Sequence, residues 1–347
     1  MSRFISSRLS NLVPYTPGEQ PKNKQLIKLN TNENPYPQSP KVLEAILAED
    51  RQRLYPDPEA GEAVRAIASY YGFTPQQVAV GNGSDELLAF AFMAYGETIY
   101  YPEISYGFYP VFRDLFHCKG EGIPLTEDLR IAVKDYFGKK GTVILANPNA
   151  PTGIALTLEE IQALLEANGD QVVIIDEAYV DFGAESAVKL IEQYDNLVVI
   201  QTFSKSRSLA GMRIGMAMGN AALIEDLNKI KFSFNPYNLS RDAIVSAKMA
   251  IEDEEYFQLT RNKIIATRKR FSEAMNKLGY TVLPSSANFV FVKAGRDYAS
   301  QLREHDIIVR HFDKDPIREY VRITIGRDEE MDRLLAVTEE LLCAKAK

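Results

Sequence analysis

The sequence predicts an α/β protein: a doubly wound, mostly parallel sheet followed by a second, smaller α/β domain. Between about residue 60 and residue 235, short apolar runs alternate with amphipathic segments, the pattern of strands joined by helices. The runs QVVIIDEAY (Gln171 to Tyr179) and LVVIQTFS (Leu197 to Ser204) are apolar on both faces, as suits strands covered by helices on either side. Several of these runs end in polar or charged residues, which is where open sheets of this kind bind their ligands.

The elements follow in order. Residues 1–40 carry Pro14, Pro17, Pro21, Pro35, Pro37 and Pro40. Proline fixes φ and lacks a donor N–H, so this segment is expected to be an extended arm. Strands are expected at Gln77 to Gly81, followed by a helix from Asp85, and at Thr98 to Pro102 and Thr142 to Pro148. The segment TLEEIQALLEANG opens with Thr157 three residues before Glu160, a capping box, and stops at Gly169. The two doubly apolar strands come next, and the large domain is expected to span 41–235. From residue 236 to 347 a smaller domain is expected. It starts with one long helix from Asn238 to about Lys277. A strand (Asn288 to Lys293), a helix (Asp297 to His305), two strands (Ile307 to Phe312, Tyr320 to Ile325) and a helix from Asp328 to about Cys343 complete it.

With 347 residues the chain is long enough for about two domains of ~150 residues and a large buried core. Its 46% hydrophobic and 25% charged residues fit a folded globular chain. Lys and Arg number 40 against 47 Asp and Glu, a net charge of −7, so no basic excess favours nucleic acid or an anionic membrane. No apolar run reaches the ~18 residues of a membrane helix, and the N-terminal stretch lacks the uninterrupted apolar core of a secretory leader. Two cysteines, Cys118 and Cys343, build no disulfide framework and suggest a reducing compartment. Beside only three histidines they make a structural zinc site unexpected. A cytoplasmic protein without a metal is expected.

Three strand ends carry chemistry. GNGSDE (Gly81 to Glu86) runs into a helix start; it is either a plain turn or an anion site built from free N–H groups and the helix dipole. Asp176 closes an apolar strand, as a helix cap or as a carboxylate in need of a cation. Lys205 follows the strand that ends in FS, with Arg213 beyond Gly211. A lysine there either snorkels to water or is held where its amine is nucleophilic.

Taken together, these positions resemble the aspartate-aminotransferase-like family of pyridoxal-phosphate (PLP) enzymes, fold type I, over essentially the whole chain. The pattern SK-x7-R with its upstream aspartate is specific as a set. The resemblance implies a large domain with a mostly parallel seven-stranded sheet and the following roles. Lys205 forms the Schiff base with the cofactor aldehyde, and Asp176 partners the ring nitrogen and keeps the ring an electron sink. Tyr179 bonds the ring hydroxyl. Gly83, Ser84, Asp85, Ser204 and Arg213 cradle the phosphate, where a guanidinium fork suits the anion. Tyr106 stacks on the ring. Family members carry asparagine directly before the proline of NPTG; here NPNAPTG (Asn147 to Gly153) puts Ala150 in that slot. Either Asn149 stands in for it as a cofactor ligand or Tyr179 serves alone, and plain turn chemistry is the alternative for Asn149.

The segments LNTNENP, RLYPDP, GNGSDELL, DEAYVDF, KSRSLAGMRIG and VRITIG resemble, more narrowly, the branch of the family that transaminates histidinol phosphate. That likeness implies amino transfer between L-histidinol phosphate and 2-oxoglutarate. Arg322 and Arg310 would hold the substrate phosphate or the glutamate carboxylates, although an ion pair of Arg310 with Asp313 or Asp315 is equally open. Asn32 would sit near the substrate, Tyr15 would contact its phosphate, and Tyr55 would reach the cofactor of a neighbouring subunit, making a homodimer with shared sites. PLP enzymes acting on aromatic amino acids or other phosphorylated amines share the same cofactor site, so substrate kinetics must separate them. A non-catalytic PLP sensor is disfavoured by the acidic charge and the retained lysine. Neither a P-loop nor a full dinucleotide fingerprint occurs, which removes a nucleotide-binding function.

Overall fold

The structure, a computed structural model, describes residues 3–22 and 26–345. The chain begins with β1 (Ile27–Leu29), α1 (Pro40–Ala48), α2 (Gly61–Tyr71), β2 (Val78–Asn82) and α3 (Ser84–Tyr95). It continues through β3 (Thr98–Pro102), α4 (Phe108–Leu115), β4 (Lys119–Ile123), β5 (Thr142–Ala146), α5 (Leu158–Ala167), β6 (Val173–Asp176), β7 (Leu197–Thr202) and β8 (Ile214–Gly219). There follow α6 (Ala221–Phe234), α7 (Arg241–Glu252), α8 (Glu254–Lys277), β9 (Thr281–Val282) and β10 (Phe289–Lys293). The chain closes with α9 (Tyr298–Glu304), β11 (Ile307–His311), β12 (Tyr320–Thr324) and α10 (Asp328–Lys345).

Seven strands form the large sheet in the order β2-β8-β7-β6-β5-β3-β4. The run from β7 to β4 is parallel, and β8 alone runs against its two neighbours. Alternate residues of its central strands feed two cores. Val143, Leu145, Val173, Ile175, Leu197 and Val199 pack with α2, α5 and α7 on one face. Ile144, Ile174, Val198 and Ile200 pack with α3, α4 and α6 on the other. This two-sided burial is why the strands read as unbroken apolar runs. The parallel strands β5, β6 and β7 end side by side at Ala146, Asp176 and Thr202, so their last residues open on one crevice.

The small sheet has the order β1-β11-β12-β10-β9. Its core joins Val290, Val292, Val321 and Ile323 to Ile264 and Phe271 of α8 and Leu334 of α10. Two expectations change here. The arm is not irregular throughout: Ile27–Leu29 pairs in parallel with Ile307–Val309 and supplies the sheet's edge. The single long helix is two helices, broken at Asp253, whose backbone (φ −92°, ψ 66°) leaves the helical region. The Asp253 side chain turns to the arm, accepting from Ser39 Oγ and, at 2.9 Å, from Lys41 Nζ. Ala243, Ala247 and Ile251 of α7 pack in the large-sheet core.

Candidate active site

The crevice at the strand ends is lined by residues from five separate stretches of chain: Ser84 and Asp85; Tyr106; Ala146 and Ala150; Asp176, Ala178 and Tyr179; Thr202, Ser204, Lys205 and Arg213. One end is built for an anion. Helix α3 starts at Ser84, so its first N–H groups have no partner within the helix and point to the crevice. Arg213 faces them from a left-handed backbone position (φ 53°) and donates to Asp85 Oδ2 at 3.0 Å. Tyr106 donates to the other Asp85 oxygen at 2.6 Å. Toward a ligand Asp85 therefore offers its N–H rather than its carboxylate. A side chain at Gly83 would put its Cβ 2.4 Å from Arg213 Nη2, and one at Gly215 would sit 2.4 Å from the Ser84 nitrogen. The cradle closes this tightly only because both positions are glycine. Thr202 accepts from the Ser204 N–H at 3.1 Å and donates to its hydroxyl at 3.0 Å, orienting Ser204 in the same pocket.

At the other end lies Asp176, 4% exposed. It accepts from the Tyr109 hydroxyl at 2.7 Å and from the Ala178 N–H. Burial raises its carboxyl to about 6, against the lowering effect of the Tyr109 bond and despite the charge of Lys205. A buried carboxylate without a directly bonded cation is placed to stabilise one that arrives. Between the two ends, Lys205 Nζ sits 5.6 Å from the centre of the Tyr179 ring and donates to the Thr31 carbonyl at 3.3 Å. The Tyr179 hydroxyl accepts from Asn32 Nδ2 at 3.0 Å, and its ring packs edge-on against Phe289. Asn32 is buried in a left-handed conformation (φ 55°) that asparagine tolerates.

Above this floor stand two arginines. Arg310 and Arg322 are cross-strand partners on β11 and β12, and both lie against the Phe312 ring, at 5.6 and 5.7 Å. Arg322 Nη2 donates to the Asn30 carbonyl at 3.0 Å, while its Nε is buried with no hydrogen-bond partner among the described residues. Burial lowers its pKa, and Tyr179, Tyr15, Tyr106 and Arg310 are near enough to act on its charge. Arg310 makes no ion pair among the described residues; Asp315 is engaged by Arg318 at 2.5 Å. Two neighbouring guanidiniums without a carboxylate form a site for an incoming anion. Tyr15 stacks on Phe108 with 4.3 Å between centroids and lies 6.3 Å from Tyr106, so the arm covers the aromatic wall of the crevice.

Two of the expected ligands do not line this crevice, and for Tyr55, expected to serve a neighbouring subunit, that is the placement the expectation requires. Asn149 does not line the crevice: its side chain accepts from Ser105 Oγ at 2.7 Å and donates to the Ile104 carbonyl at 3.0 Å and to Thr152. These bonds occupy the amide in holding the loop, and Ala150 presents its methyl group to the cavity instead. The turn-chemistry alternative is the one the structure favours. Tyr55 is 77% exposed and stacks on Tyr237 at 4.6 Å, outside the crevice lining of its own chain. Sequence reasoning missed Thr202 and Tyr109; the aromatic run Tyr106–Tyr109 was the available signal for the latter.

The aminotransferase class I and II family model matches residues 24–337. Among curated proteins, the chain is 50% identical over 355 residues to histidinol-phosphate aminotransferase of Acetobacter pasteurianus, covering 100% of each chain. It is 51% identical over 345 residues to that of Pseudomonas entomophila (strain L48), covering 96% of this chain and 99% of the other. Among solved structures, histidinol-phosphate aminotransferase from Sinorhizobium meliloti in complex with pyridoxal-5'-phosphate is 28% identical, with a TM-score of 0.81 and 91% of each chain covered. The enzyme of the same description from Clostridium acetobutylicum is 25% identical, with a TM-score of 0.85, covering 91% of this chain and 99% of that one.

Proposed function

The chain belongs to the aminotransferase class I and II family, and from that premise we propose that it transfers the amino group of L-histidinol phosphate to 2-oxoglutarate, as a PLP-dependent enzyme of histidine biosynthesis. The observation that carries this reading is the convergence, in one crevice, of an anion cradle, a buried carboxylate and a lysine beneath two arginines that form no ion pair among the described residues.

The donor set fits PLP in three places at once. The N–H groups at the start of α3, with Ser84, Ser204 and Arg213, would hold its phosphate, and the glycines at 83 and 215 leave the room this needs. Asp176 would hold the protonated ring nitrogen, the cation its buried carboxylate lacks. Tyr179 would bond the ring hydroxyl without help from Asn149, Tyr106 would cover the ring face, and Lys205 would carry the cofactor. When bound, PLP supplies the electron sink that makes the hydrogen on the carbon bearing the substrate amine acidic.

The remaining work belongs to side chains of this protein. Arg322 and Arg310 bind the substrate phosphate in one half-reaction and the carboxylates of glutamate or 2-oxoglutarate in the other. Asn32 holds Tyr179 through its hydroxyl, and Tyr15 closes the aromatic wall over the substrate. Lys205 Nζ would serve as the general base for the proton on the substrate Cα.

We also infer a homodimer. Exposed apolar side chains support it: Leu54, Tyr55, Phe232, Phe234 and Tyr237 all face outward, and Tyr55 stacks on Tyr237. The two cysteines are unpaired, which supports a cytoplasmic location.

The decisive experiment follows the visible absorbance of the cofactor-loaded protein during addition of L-histidinol phosphate and, separately, L-phenylalanine. Bleaching by histidinol phosphate at a far lower concentration is expected. Preference for phenylalanine would overturn the substrate assignment and leave the cofactor site standing.

A further inference from the structure

Lys205 is held at both ends by one short stretch of the arm. Its ammonium donates to the Thr31 carbonyl at 3.3 Å. Its own carbonyl, and that of Ser206, accept from the Asn34 side-chain amide at 3.0 and 3.2 Å. The Asn34 amide is itself fixed, since its oxygen accepts from the Tyr36 N–H at 3.0 Å and Pro35 restricts the backbone before it. Within the turn after β7, the Lys205 carbonyl accepts otherwise only from the Ser208 N–H at 3.3 Å, near the long limit of such a bond. The other end of the same stretch is tied to the small sheet. Arg322 donates to the Asn30 carbonyl at 3.0 Å, the Asn32 N–H donates to Thr324 Oγ1 at 3.0 Å, and Asn288 Nδ2 donates to the Asn32 carbonyl at 3.0 Å.

We propose that Asn34 is a positioning residue for Lys205, the lysine-side anchor of a strut, residues 30–34, that links the arginine-bearing small sheet to the turn carrying the reactive amine. The inference rests on Lys205 being the lysine that takes the cofactor. Its physical basis is the difference between a turn fastened by the Asn34 amide at both the Lys205 and Ser206 carbonyls and one held only from Ser206 and Arg207 onward, through Asp181 and Ala250. Proton transfer at the substrate Cα demands placement within a fraction of an ångström, and misplacement by ~1 Å costs about a hundredfold in rate. Asn34 itself touches neither crevice nor arginine, so its effect falls on the chemical step and not on substrate affinity.

The test uses the PLP-loaded protein and three substitutions. Asn34→Ala removes both bonds. Asn34→Asp keeps the acceptor for the Tyr36 N–H but presents an oxygen to the two carbonyls. Asn34→Ser takes the place of Asn34→Ala if the latter does not accumulate as folded protein. Per molecule of bound cofactor, kcat is expected to fall roughly 10- to 100-fold in Asn34→Ala, and at least as far in Asn34→Asp, with KM for L-histidinol phosphate within about twofold of wild type. Independently of turnover, the pH midpoint of the visible band of the resting protein is expected to move by about half a unit or more, because the environment of the lysine nitrogen changes with its position. A purely structural role for Asn34 lowers activity only in proportion to lost cofactor and leaves that midpoint in place. Unchanged kcat and midpoint in Asn34→Asp would overturn the proposal, as would an effect confined to KM. Borohydride reduction followed by peptide mapping separates the two levels. A label on Lys205 with wild-type behaviour of the variants removes the strut alone. A label on another lysine removes the assignment of Lys205 and the strut with it.

Discussion

Asp176 and Glu177 are adjacent and buried, yet they face different surroundings. Asp176 opens on the crevice with Tyr109 at its back, whereas Glu177 accepts from Ser186 Oγ and the Ala187 N–H at 2.6 Å and from Gln201 at 2.8 Å. Burial raises the first from 3.8 to about 6 and the second from 4.5 to about 7. The sign of the consequence follows. A carboxyl with a raised pKa in the folded state binds a proton that the unfolded chain has already lost, so its contribution is full at low pH and disappears as pH rises through the folded value. Carboxylates held low, such as Glu49 at about 2 beside Arg51, do not change between about pH 5 and pH 7. The urea midpoint of the cofactor-free protein is therefore expected to fall across that window, less steeply in Asp176→Asn. A midpoint that is flat or rises there would refute the buried, uncompensated state of the pair. Asp176 was visible in the sequence as the polar end of an apolar strand, but only the fold separates its role from that of Glu177.

Helix α5 shows an element legible from sequence alone. Thr157 accepts from the Glu160 N–H at 3.2 Å, and Glu160 returns a bond to the Thr157 N–H at 2.8 Å. Thr157→Ala is expected to cost about 1 kcal/mol in chemical unfolding with transaminase activity unchanged, because the cap lies away from the crevice. Loss of activity without loss of stability would contradict that placement. The buried strands β5, β6 and β7 were legible for the same local reason, an apolar run with defined ends. Other elements were not. The strand β8 (IGMAMG) is broken up by glycines, and β4 (KGEGI) is a polar edge strand with one buried residue. The break at Asp253 depends on Ser39 and Lys41, more than 200 positions away. Within the site, Lys205, Asp176, Ser84 and Arg213 announced themselves at strand or turn ends. Tyr109 and Asn34 act through partners remote in sequence, and the Asn149 amide is bonded to Ser105, Ile104 and Thr152, a use that the sequence left open.

At the scale of the molecule, the exposed stack of Tyr55 on Tyr237 bears on how many chains make one site. On the proposed homodimer with shared sites, Tyr55→Ala and Lys205→Ala are each expected to be nearly inactive when prepared separately. After unfolding and refolding together, random pairing places an intact Tyr55 beside an intact Lys205 in one site of half the dimers, restoring roughly a quarter of wild-type activity. No restoration, with mixed dimers demonstrably formed, would mean that Tyr55 does not act across the interface. The parallel pairing of Ile27–Leu29 with Ile307–Val309 has a consequence of another kind. Stripped of its first thirty residues, the chain would bare the backbone of a hydrophobic strand that also bears Arg310, an invitation to intermolecular strand addition and fibrous self-association. The short arm strand thus acts as a cover for the open edge of the small sheet.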